Sequence, residues 1–295
     1  MMMNTEATPI AQRSPLPLSA RTQGMGDTVI CLHSSTGSHA QWRGLAEALV
    51  DRCTLITPNL HGHGGSPAWP SGAANNLHVD AHAVSALLPG TRNGVMQQGV
   101  HLVGHSYGGA VALQIALRHP RWVKSLTLYE PVPFGVIRQH SPQDAALGEI
   151  EHIAQSVEGL VRYGDLEGAA RIFVAYWGGA AAWEAMAVAQ RVAVAARIST
   201  VPRHFDALFG ANWSPRLLAC LTMPVMLMQG SATRAPARRV AELLAESLPQ
   251  MQRIELAGAG HLGPMTHAPQ VAAAMLRHLT ANGLRRQAAQ QASCA

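Results

Sequence analysis

Val100-His101-Leu102-Val103-Gly104-His105-Ser106-Tyr107-Gly108-Gly109-Ala110 runs from an apolar stretch into Gly-His-Ser-Tyr-Gly, and an apolar helical pattern follows at Val111, Leu113, Ile115, Ala116 and Leu117. This is G-x-S-x-G between a strand and a helix. A turn that abrupt holds its serine in strained backbone angles. Gly104 and Gly108 carry no Cβ, so the helix and the neighbouring strands can approach closely. Ser106 Oγ is then lifted above the end of a sheet, and the Tyr107 N–H, in the first helical turn, points to the same place. One five-residue turn therefore predicts a nucleophile, Ser106, and half of an oxyanion hole, the Tyr107 amide.

Outward from this turn, a buried β-rich run lies at 28–33 and further strands at 53–57, 123–129, 223–230 and 252–256, and helical patterns lie between them at 39–50, 76–88, 235–248 and 268–280. One or two short edge strands are expected within 14–26. This alternation predicts an α/β fold, a mostly parallel sheet with helices on both faces. The rhythm breaks between 131 and 214. Alanine-rich helical patterns fill that stretch at 145–160, 167–177 and 180–198, and no buried strand is legible there. Phe173, Trp177, Trp183, Phe205, Phe209 and Trp213 concentrate in it, as packing or as the wall of an apolar pocket. The expected organisation is a flexible leader at 1–13, a core formed by 14–130 and 215–282, a helical cap at 131–214 and a flexible tail at 283–295.

Bulk composition sets the outer bounds. Hydrophobic residues at 48% and charged residues at 13% describe a globular chain with a large core. The formal charge is +5, carried by scattered arginines with Lys124 as the single lysine, and no basic stripe interleaved with aromatics argues for nucleic acid. Pro9, Pro15 and Pro17 interrupt the N-terminus, which lacks the apolar core of a signal peptide. No run of about 18 apolar residues suggests a membrane span. Cys31 and Cys53 fall in or beside strand-like runs, and with Cys220 and Cys294 they form no C-x-x-C. Reduced thiols and a cytoplasmic location are the expectation.

Four landmarks now fall in one order: Leu32-His33-Ser34-Ser35, Asn59-Leu60-His61-Gly62-His63-Gly64-Gly65-Ser66, Gly104-His105-Ser106-Tyr107-Gly108-Gly109 and Gly258-Ala259-Gly260-His261. Together they resemble the α/β-hydrolase superfamily across roughly residues 28 to 280. The resemblance implies the α/β-hydrolase fold, with a central eight-stranded, mainly parallel sheet, an inserted helical cap, and a triad in the order serine, acid, histidine. It places the catalytic base at His261, in the Gly-rich loop after the last strand; His267, His278 and His119 read as surface or core residues. An imidazole suits the role because its pKa lies near working pH.

The acid departs from the commonest pattern of the superfamily. Thr233 stands where an aspartate is usual, and no Asp or Glu occurs from Met223 until Glu242. Glu130 is the expected replacement, at the carboxyl end of the strand next to Ser106's own. Some haloalkane dehalogenases and lipases of the superfamily carry their acid there. Competing readings are that Glu130 only anchors its own turn, with Arg234 as a possible partner, that Asp144, Asp165 or Asp206 serves, or that no acid does. The second oxyanion N–H is expected from Ser35, with Ser34 as the fallback, and His33 either orders that loop or merely packs in it. The loop 59–66 lacks the Lys-Ser/Thr of a phosphate loop and has no adjacent carboxylate or cysteine, so neither a metal nor a cofactor is expected.

These residues lead to a serine hydrolase acting on a small carboxylic ester, a small-molecule substrate with no nucleic-acid or membrane partner. Lactones, amides and C–C bonds β to a carbonyl need the same constellation and stay open, as does cofactor-free oxidase or perhydrolase chemistry. A non-catalytic ligand-binding member of the fold is the alternative from another class, with Thr233 as its best support. The sequence sets no oligomeric state.

Overall fold

The computed structural model describes residues 17–49, 51–88, 91–92, 95–96, 98–248 and 250–284. The expected leader, Pro89-Gly90, Cys294 and the tail from 285 onward lie outside the described residues. The strands are β1 (Ala20–Gln23), β2 (Thr28–Leu32), β3 (Thr54–Pro58), β4 (Thr91–Arg92), β5 (Val95–Met96), β6 (Val100–His105), β7 (Val123–Tyr129), β8 (Val225–Gly230) and β9 (Gln252–Leu256). Seven of them form one sheet in the order β1-β3-β2-β6-β7-β8-β9; β4 and β5 pair separately. Only β1 is antiparallel to its neighbour in the main sheet. Among the described residues the sheet thus has seven strands, not the expected eight. Residues 14–26 supply a single edge strand, β1, in the described part; just upstream the Ser19 carbonyl accepts from Asn59 N–H while the Ser19 N–H donates to Ser66 Oγ.

The central strands β2, β6, β7 and β8 are buried at nearly every position because both faces are covered. Side chains alternate. On β2, Val29 and Cys31 face one core and Ile30 and Leu32 the other; on β8, Met226 and Met228 oppose Val225 and Leu227. The first core is closed by the helices Arg43–Leu49 and Ala268–Ala281 through Leu45, Leu49, Val271 and Met275. The second is closed by His78–Ser85, Tyr107–Arg118 and Ala235–Ser247 through Val84, Val111, Ile115, Val240 and Leu244.

From β2 the chain moves outward to β3 and then returns to place β6 on β2's other side. The strand order reverses between β2 and β6, and the crevice above such a reversal is where open α/β sheets bind ligands. The residues that follow these two strands are His33-Ser34-Ser35 and Ser106. Their close approach needs glycine. A Cβ on Gly104 would run into the Gly108 carbonyl, and one on Gly108 would meet the carbonyls of Leu32 and His33.

Between β7 and β8 the chain is helical: Gly135–His140, Ala145–Arg162, Leu166–Gly178, Ala182–Ala185, Val188–Ile198, Val201–Phe209 and Pro215–Leu218. Asp144 and Asp165 cap two of these by accepting from the N–H groups of Ala146 and Gly168. The single helical pattern expected at 180–198 is two helices. Ala187 is extended, and Gln190 Oε1 accepts its N–H to start a new helix. Phe134, Phe173, Phe205 and Phe209 pack ring against ring where this helical stretch meets the carboxyl end of the sheet. No helix among the described residues is long and apolar enough to cross a membrane.

Candidate active site

Ser106 follows β6 with φ 55° and ψ −121°, and the helix Tyr107–Arg118 starts at the next residue. Its strained backbone is held on both sides. Ser106 N–H donates to the Tyr129 carbonyl at 3.0 Å and its own carbonyl accepts from Ala110 N–H at 3.1 Å. Ser106 Oγ lies 2.8 Å from His261 Nε2, and His261 Nδ1 lies 2.7 Å from Glu130 Oε2. All three side chains are buried, with His261 only 3% exposed.

Glu130 reaches this position because β7 lies between β6 and β8, with Tyr129 opposite Met228. Its φ is 40°, and its N–H donates to the Met228 carbonyl at 2.9 Å. The carboxylate takes three donors: Gly230 N–H at 2.8 Å on Oε1, and both Thr233 Oγ–H at 2.7 Å and His261 Nδ1–H on Oε2. A buried carboxylate needs such donors in place of water. Thr233, at the usual aspartate position, therefore supplies a hydroxyl to the glutamate that has come across from the neighbouring strand. The other acids are engaged elsewhere: Asp144 with Arg239, Asp165 with its helix cap, Asp206 with Asn75. Arg234 donates to the Tyr176 carbonyl.

The residues immediately before Ser106 and Glu130 hold the His261 loop. His105 Nε2–H donates to the His261 carbonyl at 2.8 Å, and Tyr129 Oη–H donates to the Gly260 carbonyl at 2.7 Å. Trp177, from the helical stretch, lies against the imidazole with ring centroids 3.9 Å apart. His267 instead bonds to Thr266, and His119 stacks on Trp122.

In the loop after β2 the amides on both sides of Ser35 are engaged. Ser34 N–H donates to Gln41 Oε1, Thr36 N–H to His63 Nε2 and Gly37 N–H to the Ser34 carbonyl. The Ser35 N–H has no partner among the described residues, and neither does the Tyr107 N–H at the start of its helix. The fallback Ser34 amide is thus already engaged. His33 orders the loop: Nδ1–H donates to the Ser34 carbonyl at 2.7 Å, and Nε2 accepts from Leu60 N–H at 3.0 Å.

The sequence of the chain matches the family model of the alpha/beta hydrolase fold over residues 27–268. The chain belongs to the alpha/beta hydrolase fold family. It is 35% identical over 142 residues to the pimeloyl-[acyl-carrier protein] methyl ester esterase of Chromobacterium violaceum, a match covering 48% of this chain and 52% of that protein. The chain thus spans about half the length of the curated relatives it matches. Among solved structures, an esterase of Thermogutta terrifontis aligns with a TM-score of 0.69 at 23% identity, over 90% of this chain and 93% of that one. The enol-lactonase of Burkholderia xenovorans aligns with a TM-score of 0.64 at 15% identity, over 89% and 96%. These structures share the fold.

Within this alpha/beta hydrolase, a cavity of about 250 Å³ opens at Ser106 and His261 and is walled by Phe173, Trp177, Met186 and Leu262 among others. A second chamber of about 10 Å³ also reaches Ser106 and is lined by Phe134, His204, Phe205 and Leu208. His204 was not legible as a site residue. It comes from the helix Val201–Phe209, its Nδ1 lies 2.8 Å from Ser35 Oγ, and it stacks on Tyr107 at 3.6 Å between ring centroids. Asp80 was missed as well: Oδ1 lies 2.7 Å from His61 Nδ1 and Oδ2 accepts from Tyr107 Oη–H at 2.8 Å. It gives the loop 59–66 the carboxylate that its own sequence lacks. Only position within the fold connects these residues to the site, whereas His105 and Tyr129 could have been found by stepping back one residue from each strand end.

Burial lowers the pKa values of His33, His63, His105 and His204, and lowers His101 to about 4. The unfolded chain takes up these protons near pH 6.5, while the folded chain resists them. Stability therefore falls as pH drops through this window, by ~3 kcal/mol for His101 alone between pH 6.5 and 4. Thermal melts from pH 7.5 to 4.5 are expected to show a steep decline in midpoint below pH 6.5. A flat profile would contradict the neutral buried histidines.

Proposed function

We propose that this chain is a serine hydrolase that cleaves a small carboxylic ester through an acyl-enzyme. The observation that carries the reading is the unbroken hydrogen-bonded series from Ser106 through His261 to Glu130, opening into an apolar cavity. Ser106 Oγ attacks the ester carbonyl as His261 Nε2 takes its proton. Glu130 accepts the Nδ1–H, which fixes the imidazole tautomer and stabilises the imidazolium. The Tyr107 and Ser35 N–H groups receive the tetrahedral oxyanion; an oxyanion donor contributes roughly 3–4 kcal/mol of transition-state stabilisation. His261 then protonates the leaving alkoxide, and water, deprotonated by the same nitrogen, releases the acid.

The helical stretch 131–214 serves as a cap that excludes water from this chemistry. The larger cavity takes the bulkier side of the ester, and the small chamber at Ser106 admits only a compact group on the other side. Ester cleavage is favoured by the methyl ester esterase among the relatives. Buried free thiols at Cys31 and Cys53 suit a reducing, cytoplasmic setting.

A fluorophosphonate probe tests the assignment. It is expected to label one serine, located to the peptide containing Ser106 by mass spectrometry, with p-nitrophenyl acetate hydrolysis lost in proportion. Neither labelling nor turnover would favour a ligand-binding protein on the same fold.

A further inference from the structure

We infer that the cavity above Ser106 is built for an ester whose distal end carries a carboxylate, and that Arg197 is the residue that recognises it. This rests on the ester-hydrolase reading for the reaction, but the binding subsite itself stands on separate observations. Arg197 lies on the helix Val188–Ile198 and lines the same cavity as Ser106 and His261. Its Nη1 donates to the Thr36 carbonyl at 3.0 Å and to the Gly37 carbonyl at 3.2 Å. Those two bonds fix the guanidinium against the loop that bears Ser35 and use both Nη1 hydrogens.

The Nε and Nη2 hydrogens have no acceptor among the described residues. Several other arginines of the helical stretch and its surroundings are paired with carboxylates, Arg191 with Glu184, Arg138 with Glu151 and Arg239 with Asp144 and Glu242, while Arg203 and Arg234 donate to Asn75 Oδ1 and the Tyr176 carbonyl and do not line this cavity. Arg197 pairs with no carboxylate among the described residues, and neither Asp nor Glu lines the cavity. Gln41, on the same wall, accepts from Ser34 with Oε1 and leaves its buried Nε2 without an acceptor. An arginine stays charged at any physiological pH, and a half-buried one amid apolar walls lacks full hydration. A positively charged fork with spare donors, held rigid between the polar loop that carries Ser35 and an apolar wall, is complementary to a planar carboxylate. The apolar part of the wall, which includes Phe173, Val174, Trp177 and Met186, suits a methylene chain between that carboxylate and the scissile ester.

The test compares monomethyl esters of straight-chain dicarboxylic acids, succinate to suberate, with the corresponding dimethyl esters. The readout is the ratio of kcat/KM between the charged and neutral ester in each protein, which cancels any shift of the Ser35 loop common to both. In the wild type the best hemi-ester is expected to exceed its dimethyl ester, and Arg197→Met to lower the ratio by about 10–100-fold, the weight of a charge-assisted contact. Arg197→Lys should keep part of the preference, and it serves if Arg197→Met does not fold. Binding of the same two esters to Ser106→Ala, followed by calorimetry, reads the subsite without turnover and should show the same Arg197-dependent preference. Turnover of both esters at a ratio indifferent to Arg197 overturns the subsite and leaves the hydrolase reading standing. Arg197-dependent binding of the hemi-ester without turnover in the wild type upholds the subsite and removes the hydrolase reading.

Discussion

Glu130→Gln is expected to lower kcat for ester hydrolysis by about 10⁴-fold, the scale seen when a triad carboxylate becomes an amide. The side chain keeps its length, and its carbonyl oxygen can still accept from Gly230 N–H. The amide nitrogen then faces His261 Nδ1 and Thr233 Oγ, where Oε2 had accepted from both. An NH₂ group favours an imidazole with a bare Nδ1 and its proton on Nε2. That tautomer cannot take the proton of Ser106. KM should change far less than kcat, because the carboxylate touches His261 and not the cavity. Circular dichroism should show a folded protein, since a buried donor–acceptor mismatch costs about 1–3 kcal/mol. Adding Thr233→Asp to this variant restores a carboxylate close to the same imidazole and should recover at least a tenfold part of the loss. A Glu130→Gln enzyme within a few-fold of wild type would leave the carboxylate with a purely structural role.

What could be read from the sequence divides along local and non-local lines. Ser106 and His261 sit in short, strongly patterned loops, so their chemistry is visible without a fold. Glu130 could be named only indirectly: Thr233 stands at the usual place of the acid, and Glu130 lies at the carboxyl end of the neighbouring strand, where some members of the superfamily carry theirs. Why it reaches His261 is a matter of strand order: β7 lies beside β8, Tyr129 pairs with Met228, and Glu130 therefore arrives next to Gly230. The strands at 123–129 and 252–256 were legible to the residue, the first as a β-rich run between turns and the second, a largely exposed edge strand, from its place between a helical pattern and the Gly-rich loop of His261. The helical stretch was legible as helical but not in its breaks. Alanine-rich sequence has no strong preference for where a helix stops, and Gln190 sets the restart at Ala187 through one side-chain bond. His204 and Asp80 carried no local signal at all; they matter because the fold stacks one on Tyr107 and hydrogen-bonds the other to its hydroxyl.

Ser106→Ala is expected to reduce kcat by about 10⁶-fold, the loss typical of removing a triad nucleophile, and Ser106→Gly by as much. The two variants should part company in stability. Among the described residues, non-glycine residues with positive φ are Thr36, Ser106 and Glu130, all at the site. At φ 55° and ψ −121° Ser106 lies outside the conformations open to a residue with a Cβ, and such strain costs on the order of 1–3 kcal/mol. Alanine keeps the Cβ and therefore the strain. It also removes the hydroxyl from His261 Nε2, so it should melt at or below the wild-type midpoint. Glycine loses the same hydrogen bond but relieves the strain, against roughly 0.5–1 kcal/mol of extra entropy in its unfolded chain. The net difference of about 1 kcal/mol should place the Ser106→Gly midpoint roughly 2–4 °C above that of Ser106→Ala. Comparing the two variants, rather than either with wild type, isolates the backbone term because the hydroxyl is absent from both. Equal midpoints would mean that the bonds from Ser106 N–H to Tyr129 and from Ala110 N–H to Ser106 hold the turn without cost. A higher midpoint for glycine would show that the fold gives up stability to keep a side chain at this position, which a binding protein with no use for a nucleophile has no physical reason to do.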